Sequence, residues 1–325
     1  MNNKHLDPHE LHEAIAPVLQ RLESQREHVC AVVRKANFVT GAIVVVALII
    51  GVGIAGSSGN WPVFMFAGVA GFILGTLVHS VMTKKEVSAF KRQFKTTVVS
   101  EVIQRTHPGL RYSPDNGVSE TVFNSSNLFS HPDRYSSEDG ISGKIGETDV
   151  WFSEVHAEER RRSKNRTYYV DIFDGIFMMA DFHKHFRSTV RVVPDTAEKM
   201  FGFLGKALQS FRPLSSEKLV YLEDPEFEKE FAVYGSDQVE ARYILSTSMV
   251  GRILDLRAKW GNNIRLAFAG SMVFIAISHS SDLLEPDLKT ASHDKEQIVR
   301  FAYELEQCFS IVEDLNLNTR IWTKE

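Results

Sequence analysis

The sequence is poor in cysteine and has no excess of positive charge, and both shortages exclude classes of protein. Its 325 residues contain two cysteines, Cys30 and Cys308, which are too few for a disulfide scaffold or a multi-cysteine zinc site. The formal net charge is −4. Proteins that bind nucleic acid neutralise phosphates with an excess of Lys and Arg, so we expect no nucleic-acid partner.

The motifs of common enzyme classes are also missing. The chain has no G-x-S-x-G nucleophile elbow, no P-loop and no H-E-x-x-H zinc motif. We therefore expect no catalytic residue and no cofactor. A binding, scaffold or regulatory function is the first hypothesis that this leaves.

Charge itself is missing from two long stretches near the N-terminus. Residues 37–56 contain no charged side chain, and in residues 61–82 His79 is the only ionisable group. As a helix each stretch is about 30 Å long, which matches the hydrocarbon thickness of a bilayer. Four residues separate the two stretches. The sequence therefore predicts a two-span transmembrane hairpin over residues 37–83, with the lipid bilayer as a partner.

Basic residues flank this predicted hairpin on one side. Arg34 and Lys35 precede the first span, Lys84 and Lys85 follow the second, and the tip between the spans is uncharged. By the positive-inside rule, both termini are then cytoplasmic. We expect a multi-pass membrane protein, with these four side chains at the membrane interface.

Small residues predict how the two spans pack. Ala47 and Gly51 lie in the first span, and Ala67 and Gly71 lie in the second. In an antiparallel hairpin centred near residue 59, Ala47 meets Gly71 and Gly51 meets Ala67, because both pairs of numbers sum to 118. Small residues let helix backbones approach closely in lipid. Self-association of two hairpins through the same residues stays open.

The apolar periodicity continues outside the spans and predicts a stalk. Apolar residues recur at steps of three and four over residues 11–32 and again over residues 87–98, as in coiled coils. We predict stalk helices over 1–36 and 84–107, with Pro17 starting or kinking the first. The stalk is a second surface for self-association or for a protein partner.

The rest of the chain, 108–325, is predicted to form a cytoplasmic antiparallel β-sheet domain with packed helices, which makes the fold class α+β. Residues 112–142 are rich in Ser, Asp, Asn and Pro and predict a loop with short ordered pieces. The predicted strands are Asp149–His156, Thr167–Phe173, Ile176–His183, Thr189–Val193, Leu219–Glu223, Ile264–Ala269 and Met272–Ser278. The predicted helices are Thr196–Phe211, Pro225–Phe231, Ser246–Trp260 and His293–Leu315.

The densest basic cluster is predicted at a hairpin tip over Glu158–Arg166. Its arginines have two interpretations: contact with anionic lipid, or a solvated turn whose charge Glu158 and Glu159 partly compensate. Residues 86–325 hold 30 basic and 36 acidic residues, a net charge of −6. That balance favours the solvated turn and a domain held away from the bilayer by its stalk.

One polar cluster has a spacing suited to metal binding. Asp181, His183 and His185 alternate along a predicted strand, where alternate side chains share a face. They are the candidate metal ligands and the residues of choice if the protein is a membrane-proximal enzyme. The alternative is a solvated strand face.

Several segments resemble a widespread bacterial family of membrane-anchored proteins of unknown function, sometimes mislabelled "galanin". The marks are FDGIFMMADFHKHF (173–186), which resembles the family core F-x-G-x-F-x-x-A-x-F-x-K, and LEDPEFEKEFAVYGSDQVEARYILS (222–246). Residues 107–129 and 152–158 are also similar to that family, in the same order. The resemblance implies a two-span anchor, a cytoplasmic domain and a bacterial host, and it brings no catalytic residue.

Three functions are thus open. The first is an inner-membrane-anchored protein with a non-catalytic cytoplasmic domain that binds, scaffolds or regulates. The second is a pore or transport component made of oligomerised hairpins, for which the spans offer few polar groups. The third is an enzyme using Asp181, His183 and His185.

Overall fold

The computed structural model describes residues 8–163, 166–195, 216–279 and 283–318. The chain divides into two compact units. The helical unit contains the residues up to Glu101 together with Glu285–Phe301. The sheet unit contains Val102–Leu284 and the residues from Ala302 onward.

Two long helices form the greater part of the helical unit. Helix α1 spans Pro8–Ser58 and helix α2 spans Pro62–Phe94. Proline suits the first position of α2, because the N–H that it lacks would have no partner within the helix there. The helical path continues through a π-helical turn, Lys95–Val99, into α3, Ser100–Thr106. Helix α1 runs through Pro17, so the expectation that this proline starts the helix is wrong.

The two helices touch through their small residues. A Cβ atom placed on Gly71 would lie 2.5 Å from the Cβ of Ala47, and one placed on Gly51 would lie 2.7 Å from the Cβ of Ala67. Both predicted pairs are therefore in contact, which confirms the antiparallel register. The Thr40 hydroxyl adds a bond between the helices by donating to the Gly75 carbonyl at 3.0 Å.

Outside the apolar stretches, α1 buries one face. Ile15, Leu22 and Val29, which the periodicity predicted on that face, are buried. Leu19 is buried as well, whereas the predicted Val18 is only half-buried. The spacing of these positions is that of a heptad repeat, in which an apolar seam packs against a neighbour.

The sheet unit is built on one antiparallel sheet of nine strands, in the order β1-β2-β3-β4-β9-β8-β5-β7-β6. Together with the helices this confirms the α+β class. The strands are β1 Leu110–Ser113, β2 Arg134–Ile145, β3 Thr148–Ser163, β4 Arg166–Asp181, β5 Val190–Pro194, β6 Lys218–Val220, β7 Phe231–Gly235, β8 Ile264–Ala269 and β9 Met272–Ser278.

Five more helices complete the described chain. Four of them begin at a side chain that accepts a backbone N–H, which satisfies a donor that the first turn leaves without a helical partner. The capping residues are Ser119, Asp224, Asp237 and Ser246. The helices are α4 Glu120–Ser125, α5 Pro225–Glu230, α6 Gln238–Ile244, α7 Thr247–Trp260 and α8 Lys295–Asp314.

Both faces of the sheet are covered. On one face Phe123 of α4 packs against Phe173 and Phe177 of β4, with ring centroids 5.9 and 5.1 Å apart. Phe152 of β3 points to the opposite face and meets Phe309 of α8 at 5.8 Å. The aromatic core thus ties the helices to the centre of the sheet.

Several predicted elements are confirmed. Strands β8 and β9 have the predicted bounds, with Gly270 in the turn between them. The predicted helices at Pro225 and after Ser246 are present as α5 and α7. The helix predicted for Thr196–Phe211 lies outside the described residues.

Three predictions about the first half of the sheet are wrong. The loop predicted for 112–142 does contain a short ordered piece, α4, but its second part forms most of the 12-residue strand β2. The two strands predicted on either side of Gly175 are one strand, β4, which passes through that glycine at φ +146°. Strands β3 and β4 extend to Ser163 and from Arg166, so most of the presumed hairpin tip is β-structure.

Candidate functional site

The most distinctive surface of the helical unit is a band of exposed apolar side chains. Phe38, Ile49 and Val81 are 79%, 65% and 81% exposed. In the most apolar 18-residue stretch of each long helix, only 11% is buried inside the protein. Both helices are long and apolar enough to cross a membrane by length and composition. We call this band, residues 38–81 of α1 and α2, the apolar band.

Basic side chains flank the apolar band. Arg34 and Lys35 on α1, and Lys84 and Lys85 on α2, are all exposed. Because α1 and α2 run antiparallel, the two pairs lie toward the same end of the helix pair, whereas the turn at the other end carries no charge. This is the charge distribution expected at a membrane surface.

An apolar groove lies along the helix pair within the band. It has a volume of about 630 Å³, and its lining includes Phe38, Val46, Ala67 and Leu74. The few polar side chains nearby are turned to the backbone. Thr40 donates to the Gly75 carbonyl and Thr76 donates to the Ile73 carbonyl at 2.8 Å.

The segment Glu285–Phe301 is bonded to the helix pair beyond the band. The Glu23 carboxylate of α1 accepts from the Arg26 guanidinium at 2.6 Å and from the backbone N–H of Ser292 at 2.6 Å. Mainly because of Arg26, the pKa of Glu23 is held at about 2. These groups were not singled out from the sequence, since the partners lie far apart along the chain.

A second acidic group lies at the beginning of this segment. Glu285 lies 2.6 Å from the Lys91 ammonium and 2.5 Å from that of Lys95, which is buried in the π-helical turn. Burial opposes ionisation of Glu285, but the hydrogen bonds of the two lysines outweigh it and lower its pKa. The segment is therefore held by charged groups at its first residue and near its middle.

The structure does not assemble Asp181, His183 and His185 as a strand face. Strand β4 ends at Asp181, and His183 turns the backbone with φ +56°. The His183 Nδ1 lies 3.2 Å from an Asp181 carboxylate oxygen, whereas His185 is exposed with its Nδ1 3.5 Å from the Ser271 hydroxyl. The premise that the three alternate along a strand is wrong.

Two other groups bring donor atoms together. Among the described residues, one donor atom from each member comes within 4.8 Å in His156, Glu158 and Asp171, and likewise in Glu138, Asp139 and Glu154. Neither group includes the three candidates taken from the sequence. In the first group, Glu158 also pairs with Arg134 at 3.4 Å.

Two buried arginines organise the loop after α4. Arg191 of β5 pairs with Glu217 and donates to the Asn127 carbonyl. Arg265 of β8 donates to the Leu128 carbonyl at 3.0 Å, and its burial lowers its pKa to about 10. Both arginines could have been found from the sequence, because each is a charged residue within an apolar strand. The two strand sequences are TVRVVP and NIRLAFA.

The cysteines differ in their environment. Cys308 is buried on the sheet unit's α8, where loss of solvent raises the pKa of its thiol to about 12. It lies beside a cavity of about 30 Å³ that Asp139 and Glu304 also line. Cys30 is half-buried and its thiol contacts the Leu288 carbonyl at 3.2 Å.

The fold and this geometry together define an α+β protein with two exposed apolar helices ahead of an antiparallel sheet. Residues 171–317 match the model of a family described as a protein of unknown function (DUF3137). This agrees with the expected uncharacterised family. The matched region covers most of β4, the strands β5–β9 and the helices α5–α8.

Comparison with individual proteins adds one structure. The chain is similar to the crystal structure of the mycobacterial trehalose monomycolate transport factor A, TtfA, over 69% of this chain and 97% of that chain. The sequence identity is 9% and the TM-score is 0.35, which does not establish a shared fold. No curated protein matches the sequence.

Proposed function

We propose that this chain is an inner-membrane protein of bacteria whose helix pair spans the bilayer and whose sheet unit is a non-catalytic binding domain in the cytoplasm. In this proposal residues 37–83 are the transmembrane hairpin, 1–36 and 84–107 are stalk helices, and 108–325 are the cytoplasmic domain. The observation that carries the proposal is the exposed apolar band with its four flanking basic side chains.

Water is a poor solvent for the apolar band. Sixteen large apolar side chains between Phe38 and Val81 are about half or more exposed. Removing each from water is worth about 1 kcal/mol, so their transfer into lipid contributes on the order of 15 kcal/mol. Lipid satisfies this requirement without any further protein, and the backbone is already hydrogen-bonded within the helices.

The test is fractionation followed by topology mapping. We expect the full-length chain in the membrane fraction, resistant to extraction at alkaline pH and released by detergent. A fluorescent reporter fused after Glu325 is expected to be active inside the cell, and a reporter enzyme that works only outside the cytoplasm is expected to stay inactive there. As a control, a fusion at Gly59 should give the reverse pattern. Recovery of the chain in the aqueous fraction would refute the proposal.

The binding role rests on the composition of the sheet unit. Two of its titratable groups with a shifted pKa, Arg265 and Cys308, are buried. Crosslinking in cells followed by purification in detergent is expected to recover a specific partner or a second copy of the chain. Recovery of the protein alone from every growth condition would contradict this role.

The pore alternative receives less support from the helix pair. Polar groups inside a membrane mark substrate pathways, but the Thr40 and Thr76 hydroxyls donate to backbone carbonyls of the helices. Planar bilayers or liposomes containing the full-length protein are expected to show no conductance above the empty membrane. A reproducible conductance would favour the pore.

A further inference from the structure

A two-stranded ribbon extends from the sheet beyond its neighbours. It consists of Glu159–Ser163 of β3 and Arg166–Val170 of β4, and we call it the basic ribbon. Strand β2 pairs with β3 only as far as Glu158, and β9 pairs with β4 only from Gly175 onward. At about 3.3 Å per residue, the five residue pairs of the ribbon reach about 16 Å past the end of β2.

Beyond Glu159, the charge of the basic ribbon is of one sign. Between Arg160 and Val170 the chain has five basic residues and no acidic one. The acidic side chains that the sequence offered as compensation are already engaged at its base, because Glu158 pairs with Arg134 and Glu159 with Arg161. In the part of the chain that the structure describes, Arg162 and Arg166 pair with no carboxylate.

Aromatic side chains stand among these charges. Tyr168 is 43% exposed and Tyr169 is 36% exposed, opposite Arg161 and Arg160 across the ribbon. The Arg134 guanidinium lies 3.4 Å from the centre of the Tyr169 ring, which leaves Tyr168 as the more open of the two. Exposed tyrosines among arginines fit an interface where phosphates and apolar chains meet, and tyrosine is enriched at that depth of a membrane.

We propose that the basic ribbon docks on the anionic lipid headgroups of the membrane in which the same chain is anchored. The proposal rests on the function proposed above, because a membrane anchor in the same chain raises the effective concentration of lipid around the ribbon. Each arginine near an anionic surface favours docking about fivefold. The net charge of −6 on residues 86–325 opposes docking of the whole domain, but a Debye length of about 8 Å screens that charge at the end of a 16 Å ribbon.

The experiment measures how fast an arginine reagent modifies the ribbon. Full-length protein is reconstituted into nanodiscs of phosphatidylcholine, with or without phosphatidylglycerol, and modification by hydroxyphenylglyoxal is followed by mass spectrometry. We expect modification of Arg162 and Arg166 to be at least about fivefold slower with phosphatidylglycerol, and to recover in about 1 M salt. Arg187, exposed elsewhere on the sheet unit, serves as the internal reference and should react at equal rates.

Two double variants test whether the protection depends on the basic ribbon or on the overall charge of the protein. In Arg160→Glu/Arg162→Glu, the protection of Arg166 by phosphatidylglycerol is expected to disappear. The matched control Arg187→Glu/Lys218→Glu makes the same change of charge at two exposed positions outside the ribbon and should keep it. Circular dichroism confirms that each variant folds, and the unsubstituted chain in the two lipids supports or refutes the proposal without any variant.

Each other outcome has a definite meaning. Equal modification rates in both lipids, or protection that high salt does not reverse, overturn the docking proposal. Stronger protection by an RNA oligonucleotide in neutral nanodiscs than by anionic lipid also overturns it and assigns the ribbon to nucleic acid. Failure of the protein to enter nanodiscs at all would instead overturn the proposed membrane anchor.

Discussion

Replacing Gly51 by alanine tests the packing of the helix pair on which the anchor depends. The added Cβ would lie 2.7 Å from the Cβ of Ala67 and 3.2 Å from the Cα of Phe64. Carbon atoms in contact prefer about 3.5 to 4.0 Å, so the helices must separate by about 1 Å. Overpacking of this kind costs about 1–3 kcal/mol, which exceeds the gain of about 1 kcal/mol from the better helix propensity of alanine.

The control for this substitution lies in the same helix. A Cβ on Gly53 meets nothing within 4 Å, so Gly53→Ala carries the gain in propensity without the collision. We expect the two variants to differ by about 1–3 kcal/mol, measured by circular dichroism during unfolding in mixed micelles of dodecyl maltoside and SDS. The exchange Gly51→Ala/Ala67→Gly should restore most of the loss. Equal midpoints for Gly51→Ala and Gly53→Ala would refute the antiparallel contact.

Three further predictions concern charge and backbone. Arg191→Met leaves Glu217 buried without its arginine and should cost about 3–5 kcal/mol in urea unfolding. Glu23, with its pKa lowered to about 2, stabilises the helical unit above pH 4.5, and this stability is lost as the pH falls from 4.5 through 2, by about 1 kcal/mol after screening by water. Gly175→Ala places a Cβ against the Ile277 carbonyl at a φ of +146°, so we expect a loss of at least about 2 kcal/mol in the same urea experiment.

Each of these has an outcome that contradicts it. Adding Glu217→Leu to Arg191→Met should recover much of the loss, and no recovery would mean that the arginine acts by packing alone. Glu23→Gln should flatten the acid limb of the thermal unfolding profile of the full chain, whereas the exposed Glu13→Gln should not. Gly270→Ala, with open space around its Cβ, should cost less than Gly175→Ala, and the opposite order would contradict the collision.

The features that could be predicted from the sequence are those that depend on residues close together in the chain. The helix register follows from residue sizes at fixed spacing, so the contacts of Gly51 and Gly71 were predictable. Strands β8 and β9 were predictable with their ends, because two apolar runs stop at the two-residue hairpin signal Gly270-Ser271.

Strand β2 was not predictable in this way. Its sequence, RYSSEDGISGKI, contains mainly small and polar residues, and it becomes a strand because β3 pairs with it along its length. The same tertiary effect carries β3 and β4 through the run of arginines, where composition alone indicated a turn.

The candidate sites show the same division. A long uncharged apolar stretch and the basic residues beside it can be recognised whatever the tertiary fold. The apolar band and its flanking charges could therefore be identified from the sequence. The spacing of Asp181, His183 and His185 had meaning only if the strand continued, and it ends at the first of them. Glu23 bonds to Ser292, and Arg191 pairs with Glu217. Because these partners lie far apart in the chain, no local sequence pattern indicates that they meet.

The strand order also determines which strands can pair while the chain is still being synthesised. Strands β1 to β4 are neighbours in both chain and space, so they can assemble as they leave the ribosome. The free edge of β4 then waits for β9, because Ile176 pairs with Ile277, 101 residues later. At about 5–20 residues per second this wait is roughly 5–20 s, during which an apolar edge strand stays open to other nascent chains.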